Sequence, residues 1–385
     1  RDILRSCPGV LRQCDTLVSA LKRRQISGPY NCAKCTMDLL KKFIGDVKWG
    51  TAGALIELIK MVGRELQLAK PTELAVGNVV RRVLFIVREE YASYQCGITG
   101  LYHQLIFEFS KRSFVCSFCS KLSAVEVAAP SLETVLGGEV GEASYDVVIT
   151  ELKQIIIEGV QELCTELEEV NNVICEHAAD TIHANEVILT LGYSRTVFEF
   201  LVAAAEHYRK LHLTFSVIVA EAAPFLRGQV MAKDLAKKGI ETTVISDAAV
   251  FAIMARVNKV IMPTHAVVAN GGSLIAMSGS HTMTLAAKEL SVPVVCVTGL
   301  FKLTPLFSHD QHTFNCLLTP SAVMSYQEND AMPTVEVLNP AYDYIPPHLV
   351  DLYITNIGAH QPSYIYRLLA EYYHRDDHFL TPLEG

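Results

Sequence analysis

The chain has 385 residues, of which 50% are hydrophobic and 19% charged, and its net charge is −8. Apolar residues recur along its whole length, which excludes an intrinsically disordered protein, and the length makes two domains the default. Its apolar runs, such as residues 292–301, fall well short of the roughly 18 residues a membrane helix needs, so no membrane span is expected.

The opening residues, RDILRSCPGV, hold no initiator Met and no apolar segment of the signal-peptide type; a trimmed start without a secretory address is expected. The eleven cysteines are an odd number. Several, such as Cys164, Cys175 and Cys296, sit in apolar periodic stretches, which fits reduced core thiols in a cytoplasmic protein. Cys32 with Cys35 and Cys116 with Cys119 form CxxC pairs, each half of a tetrahedral zinc site. They lie about 80 residues apart where about 12 to 20 is usual, so free thiols and no metal are expected.

Charge is unevenly spread. Up to Tyr91 there are 16 Lys and Arg against 9 Asp and Glu, and beyond it 17 against 32. A basic first quarter ahead of an acidic remainder points to an acidic or phosphorylated partner, or to docking on acidic neighbours within the chain. Without an arginine-rich tract, aromatic-basic interleaving or a recognisable nucleic-acid module, nucleic acid is not the expected partner.

From residue 2 to about 118 the periodicity is helical. Leu55, Ile56, Ile59 and Val62 form one stripe, and Val79, Val80, Val83, Ile86 and Val87 another, with breaks at Gly28-Pro29, Gly45 and Pro71. An all-α N-terminal domain is expected over residues 1–144, ending in a flexible loop near 125–144 marked by Pro130, Gly137, Gly138 and Gly141. A connecting helix follows over 145–182, with apolar residues at Leu152, Ile155, Ile156, Val160, Leu163, Leu167, Val170 and Ile174.

Over 183–385 short β-rich runs alternate with helical ones. Residues 187–191, 216–220, 242–245, 259–262 and 293–297 read as buried strands; residues 196–210, 230–238, 248–255 and 282–290 read as helices. The alternation specifies an α/β fold, a Rossmann-like, doubly wound parallel sheet covered on both faces.

In such a sheet ligands bind beyond the C-terminal strand ends. The turns there offer Gly192, Tyr193, Ser194 and Arg195 in ILTLGYSRTV; Glu221; Asp247; and Thr264, His265 and Asn270. Ser194 and Arg195 have two readings: a helix cap with a surface ion pair, or a phosphate cradle. Asp247 is either an N-cap or a general base. His265 and His281 have no evident metal partners. Neither GxGxxG nor GxxxxGK[ST] occurs, so nicotinamide, flavin and P-loop nucleotide chemistry lack their usual framework and no cofactor is expected.

The stretches GNVVRRVLFIVREEY, ILTLGYSRTV, VIVAEAAPF, GIETTVISDAAVFAIMARVNKV and NPAYDYIPPHLVDLYITNIGAHQPSYIYRLLAEYY resemble a known family over the chain from about Trp49 onward. It comprises the alpha, beta and delta regulatory subunits of eukaryotic translation initiation factor 2B, and the resemblance is strongest to the beta type. Its sheet domain is shared with sugar-phosphate isomerases, which interconvert aldose and ketose phosphates.

The resemblance implies a site without its chemistry. The isomerases' His-Cys pair matches Leu191 and Gly192, their first Asp matches Asp247, their second Asp matches His265, and their Asn-Lys pair matches Ala276 and Met277. Proton transfer between adjacent sugar carbons needs a positioned acid and base, and at most one remains. The implied role is a non-catalytic regulatory subunit of a guanine nucleotide exchange complex, with isomerase activity as the alternative.

In that family GDP–GTP exchange on initiation factor 2 belongs to the epsilon subunit with gamma as its partner. The alpha, beta and delta subunits form a two-fold regulatory core that binds the alpha subunit of initiation factor 2 and responds to its phosphorylation. On this basis Lys60, Arg64, Arg81, Arg82 and Arg88 are candidates for contacting that partner. Their alternative is a solvated helix face. Tyr342, Tyr344, Ile345, Tyr353, Ile354, Tyr364 and Tyr366, in the apolar stretch 342–373, are candidates for pairing with a delta-type paralogue; a helix packed within the monomer has a similar composition.

Overall fold

The computed structural model of the chain describes residues 8–95, 145, 152–310, 312–326 and 335–380. The loop expected near 125–144 and the pair Cys116 and Cys119 lie outside the described residues.

Four helices open the described part of the chain: α1 Pro8–Lys22, α2 Pro29–Asp46, α3 Ala52–Ala69 and α4 Leu74–Gln95. Pro29 starts α2 where its missing N–H is no loss, and the Thr51 hydroxyl accepts the Ala54 N–H at 3.2 Å to cap α3. The stripes read from the sequence on α3 and α4 are buried, and they share one apolar core with Phe43, Leu21 and Leu40. The connecting helix is α5, Leu152–Glu176. Its first half, from Leu152 to Leu167, belongs to the core of the helical region, while Val170 and Ile174 belong to a core under the sheet. One rod thus joins two cores.

The main sheet contains β1 Val187–Leu191, β2 Ser216–Ala220, β3 Glu241–Ile245, β4 Lys259–Pro263, β7 Val294–Val297, β10 Leu352–Thr355 and β11 Gly358–His360, in the order β11-β10-β7-β4-β1-β2-β3. Every pairing is parallel except that of β11 with β10. Because side chains alternate along a strand, Leu189, Leu191, Ile218 and Ala220 face one core, and Ile188, Val217 and Val219 the other. The helices on this sheet are α6 Arg195–Lys210, α7 Arg227–Lys237, the short α8 Val250–Met254, α9 Ser280–Glu289 and α10 Ile365–Tyr372.

Two features depart from the expectation of one sheet covered on both faces. The β3 edge is open: Glu241, Thr243 and Val244 are exposed and no residue of this strand is fully buried. A second sheet, in the order β8-β5-β6-β9, is built from β5 Ala266–Val268, β6 Ser273–Met277, β8 Leu303–Thr304 and β9 Tyr342–Ile345.

Candidate functional site

At the end of β1 the chain turns through Gly192, whose φ of +66 lies in the left-handed region. A Cβ there would stand 2.7 Å from the Met277 sulfur and 3.3 Å from the Ala222 Cβ. Leu191 is buried, and its Cδ2 approaches Gly279. Leu191, Gly192 and Met277 therefore pack together as an apolar plug.

The polar candidates around this plug are engaged by the protein itself. Tyr193 stacks on Phe198, with ring centroids 6.4 Å apart. The Ser194 hydroxyl accepts the Val197 N–H at 3.5 Å, and Arg195, 70% exposed, donates to Glu199 at 2.7 Å one helical turn on. Glu221 accepts from Gln229 at 3.3 Å. Gly228 brings α7 directly against this strand end: a Cβ on it would lie 2.1 Å from the Ala220 carbonyl oxygen, closer than any side chain is tolerated.

Asp247 spends both carboxylate oxygens on the loop after β2, accepting the Ala222 N–H at 2.9 Å and the Ala223 N–H at 2.7 Å. That loop needs the support, since Ala222 and Leu226 both adopt positive φ without being glycine. The α9 N-terminus is likewise filled from within: Gly279 and His281 donate their N–H groups to Asp343 Oδ2 at 2.8 and 3.1 Å.

His265 faces the helical region. Its Nε2 lies 3.1 Å from the Thr72 carbonyl oxygen and 3.6 Å from Glu73, and its ring stacks on Tyr342 at 4.3 Å. A carbonyl only accepts, so Nε2 carries the proton. Burial pushes the His265 pKa down, against the opposing pull of Glu73 and the Thr72 carbonyl, so the contact with Glu73 is not an ion pair at neutral pH. Asn270 uses both ends of its amide on Ser308, at 2.8 and 3.1 Å.

The five cations proposed to meet a partner converge instead on the chain's own segment 372–380. Arg88 donates to Asp377 from Nε at 2.8 Å and from Nη2 at 3.0 Å, and Lys60 approaches the same carboxylate at 3.2 Å. Arg81 donates to the His378 carbonyl at 3.0 Å, Arg82 to the Tyr372 carbonyl at 3.3 Å, and Arg64 to the Leu380 carbonyl. The Arg82 guanidinium also lies 4.1 Å from the Tyr372 ring centroid. Helix periodicity could place these cations on α3 and α4 but not reveal that acceptors 289 residues or more away cover them.

The interface candidates divide in the same way. Ile345, Tyr353 and Ile354 are fully buried within the chain, in strands of the two sheets, and so leave no surface for a partner. Tyr342, Tyr344 and Tyr364 are half-buried, and only Tyr366 is exposed. Sequence reasoning missed Asp377 and Asp343, because nothing local distinguishes a carboxylate that will be buried against distant donors.

Cys32 is buried and its thiol is pushed up to about 12, by burial first and Glu73 second; Cys35 is raised by burial. Neither is a ready thiolate ligand. Among the described residues no group of three or more His, Cys, Asp or Glu could hold a metal ion, and no helix is long and apolar enough to cross a membrane.

This fold and site define a class: a helical region on a doubly wound sheet whose polar groups at the strand ends are engaged within the chain. A family profile described as the initiation factor 2 subunit family matches residues 25–362. The chain is 44% identical over 376 residues to the translation initiation factor eIF2B subunit beta of Dictyostelium discoideum, covering 94% of this chain and 95% of that one. It is 38% identical over 388 residues to the subunit of the same name from Schizosaccharomyces pombe, with 95% and 96% covered. The ribose 1,5-bisphosphate isomerase of Pyrococcus furiosus is 30% identical over 221 residues, 57% of this chain and 67% of that one.

Among solved structures, eIF2B beta from Chaetomium thermophilum aligns with a TM-score of 0.66 at 26% identity, over 96% of this chain and 93% of that one. A chain of the tetrameric eIF2B-beta2-delta2 complex from C. thermophilum aligns with a TM-score of 0.65 at 25% identity, over 95% and 96%. The chain belongs to the initiation factor 2 subunit family.

Proposed function

We propose that the chain is a non-catalytic, beta-type regulatory subunit of the eIF2B guanine nucleotide exchange complex, acting in the cytoplasm. The observation that carries this reading is identity at 44% and 38% over nearly the full length of both chains to two proteins named eIF2B subunit beta. Its partners in this reading are a delta-type paralogue, the alpha, gamma and epsilon subunits, and initiation factor 2, whose alpha-subunit phosphorylation the assembly senses.

Pairing with the delta-type chain is supported by the beta2-delta2 complex among the structural relatives. We place it at the open β3 edge, where Val244 is 45% exposed and Phe225, Val230 and Phe251 on neighbouring elements also reach solvent. An uncovered strand edge with exposed apolar side chains is unstable against association, and a paralogue of the same fold offers a self-complementary surface. Since Lys60, Arg64, Arg81, Arg82 and Arg88 are engaged internally, contact with a phosphorylated partner falls to exposed cations of the helical region such as Lys22, Arg23, Arg24, Lys42 and Lys48.

The isomerase alternative is disfavoured by the apolar plug of Leu191, Gly192 and Met277 and by the engagement of Asp247 with backbone. Two measurements test the reading. Tagged chain co-expressed with a delta-type subunit is expected to co-purify with it, and complexes lacking the chain are expected to release GDP from initiation factor 2 with altered sensitivity to phosphorylation. Turnover of ribose 1,5-bisphosphate by the purified chain at enzyme-like rates would overturn the non-catalytic assignment.

A further inference from the structure

We propose that segment 372–380 is an interdomain strap that fixes the helical region on the sheet domain, with Asp377 as its fastening point. The strap leaves α10, whose Ile365, Leu368 and Leu369 are buried in the sheet-domain core. The Tyr373 hydroxyl donates to the Leu303 carbonyl at 2.7 Å, still on the sheet side. Eight residues after Tyr372 the chain reaches Leu380, 2% exposed in the core of the helical region. Nine residues therefore pass from one core to the other.

The fastening is of two kinds. Arg64, Arg81 and Arg82 hold main-chain carbonyls, which any sequence supplies. Only Asp377 contributes a charged side chain that is fully buried, and it sits between Arg88 and Lys60, one from α4 and one from α3. A carboxylate bridging cations from two helices fixes both helices relative to the strap, and its removal leaves two cations facing a low-dielectric interior. Asp376, by contrast, is exposed and 3.6 Å from Arg88, so it serves as a control.

The test is hydrogen exchange on the full chain, read peptide by peptide. With Asp377→Asn, amides of α3 and α4 are expected to lose protection by about tenfold or more while β1, β2 and α6 keep theirs, since local opening releases only the unit that was fastened. Asp376→Asn is expected to leave both regions unchanged. Equal loss across sheet and helices, or no loss anywhere, overturns the strap. If Asp377→Asn does not fold, Lys60→Met keeps the Arg88 pair and is expected to loosen α3 by a few-fold with the sheet unaffected; loosening of the sheet by the same factor again overturns it.

Discussion

Arg88 and Asp377 meet at two points across 289 residues of sequence, Nε to Oδ2 at 2.8 Å and Nη2 to Oδ1 at 3.0 Å, with the carboxylate fully buried. Burial alone works against the Arg88 charge, but Asp377 and the Tyr145 hydroxyl more than restore it, so its pKa moves up. Removing one partner strands the other in a poor solvent. Asp377→Ala is expected to lower unfolding free energy by about 3–5 kcal/mol, measured by urea denaturation.

Arg81 lies on the same helix but answers to a different balance. Burial holds its pKa down to about 10 despite Tyr373 and Asp377 pushing back, and Nη2 has no hydrogen-bond partner among the described residues. A guanidinium that is nearly all desolvated and incompletely paired gains little from its charge. Arg81→Met is expected to cost no more than about 2 kcal/mol, chiefly for the lost grip on the His378 carbonyl, against a larger loss for Arg88→Met. Parallel denaturation of the two variants checks the ranking.

Acid should destabilise the fold from about pH 6.5 downward. The His265 pKa is lowered by burial, with Lys302 and Lys70 opposing its charge and Glu73 and the Thr72 carbonyl favouring it. The unfolded chain therefore takes up a proton near the ordinary value of 6.5 while the folded one does not. The stability this group contributes is complete above that pH and is lost as pH falls toward its folded value. His360, His374 and His378 are lowered by burial as well and act in the same direction. Urea midpoints at about pH 7.5 and about pH 5.5 should differ less for His265→Gln than for the parent, without becoming equal.

The apolar plug predicts a coupled pair. Gly192→Ala places a side chain at positive φ and against the Met277 sulfur, and is expected to cost about 1–3 kcal/mol. The thioether is flexible, so Met277→Ala should relieve the steric part and leave the backbone part. A double-mutant cycle is expected to show coupling of about 0.5–2 kcal/mol; additivity would mean that the two residues do not meet.

Much of the sheet was legible because β1, β2, β4 and β7 are runs of β-branched and apolar residues, which a parallel strand buried on both faces requires. The sequence pattern places their bounds to within a residue. The second sheet was not legible, since β9 pairs with β6 only after a long excursion of chain, and β5 and β8, at three and two residues, are too short to show a pattern. The same distinction divides the site. The Ser194 cap is a three-residue relationship and was among the readings on offer, whereas the partner of Arg88 depends on tertiary proximity. The stretch 342–373 is correctly apolar, but composition does not say whether apolar residues are buried within the chain or against another chain.

The chain's visits to its separate parts have an order, and that order matters during synthesis. Residues 342–345 close the β6 edge, 352–360 extend the main sheet beyond β7, and 372–380 fasten the helices. A nascent chain that has emerged only as far as β8 would present bare β6 and β7 edges besides the open β3 edge, and five cations without their acceptors from 372–380. Such edges invite pairing with other chains, so this protein should depend on protection by chaperones until its late segments leave the ribosome.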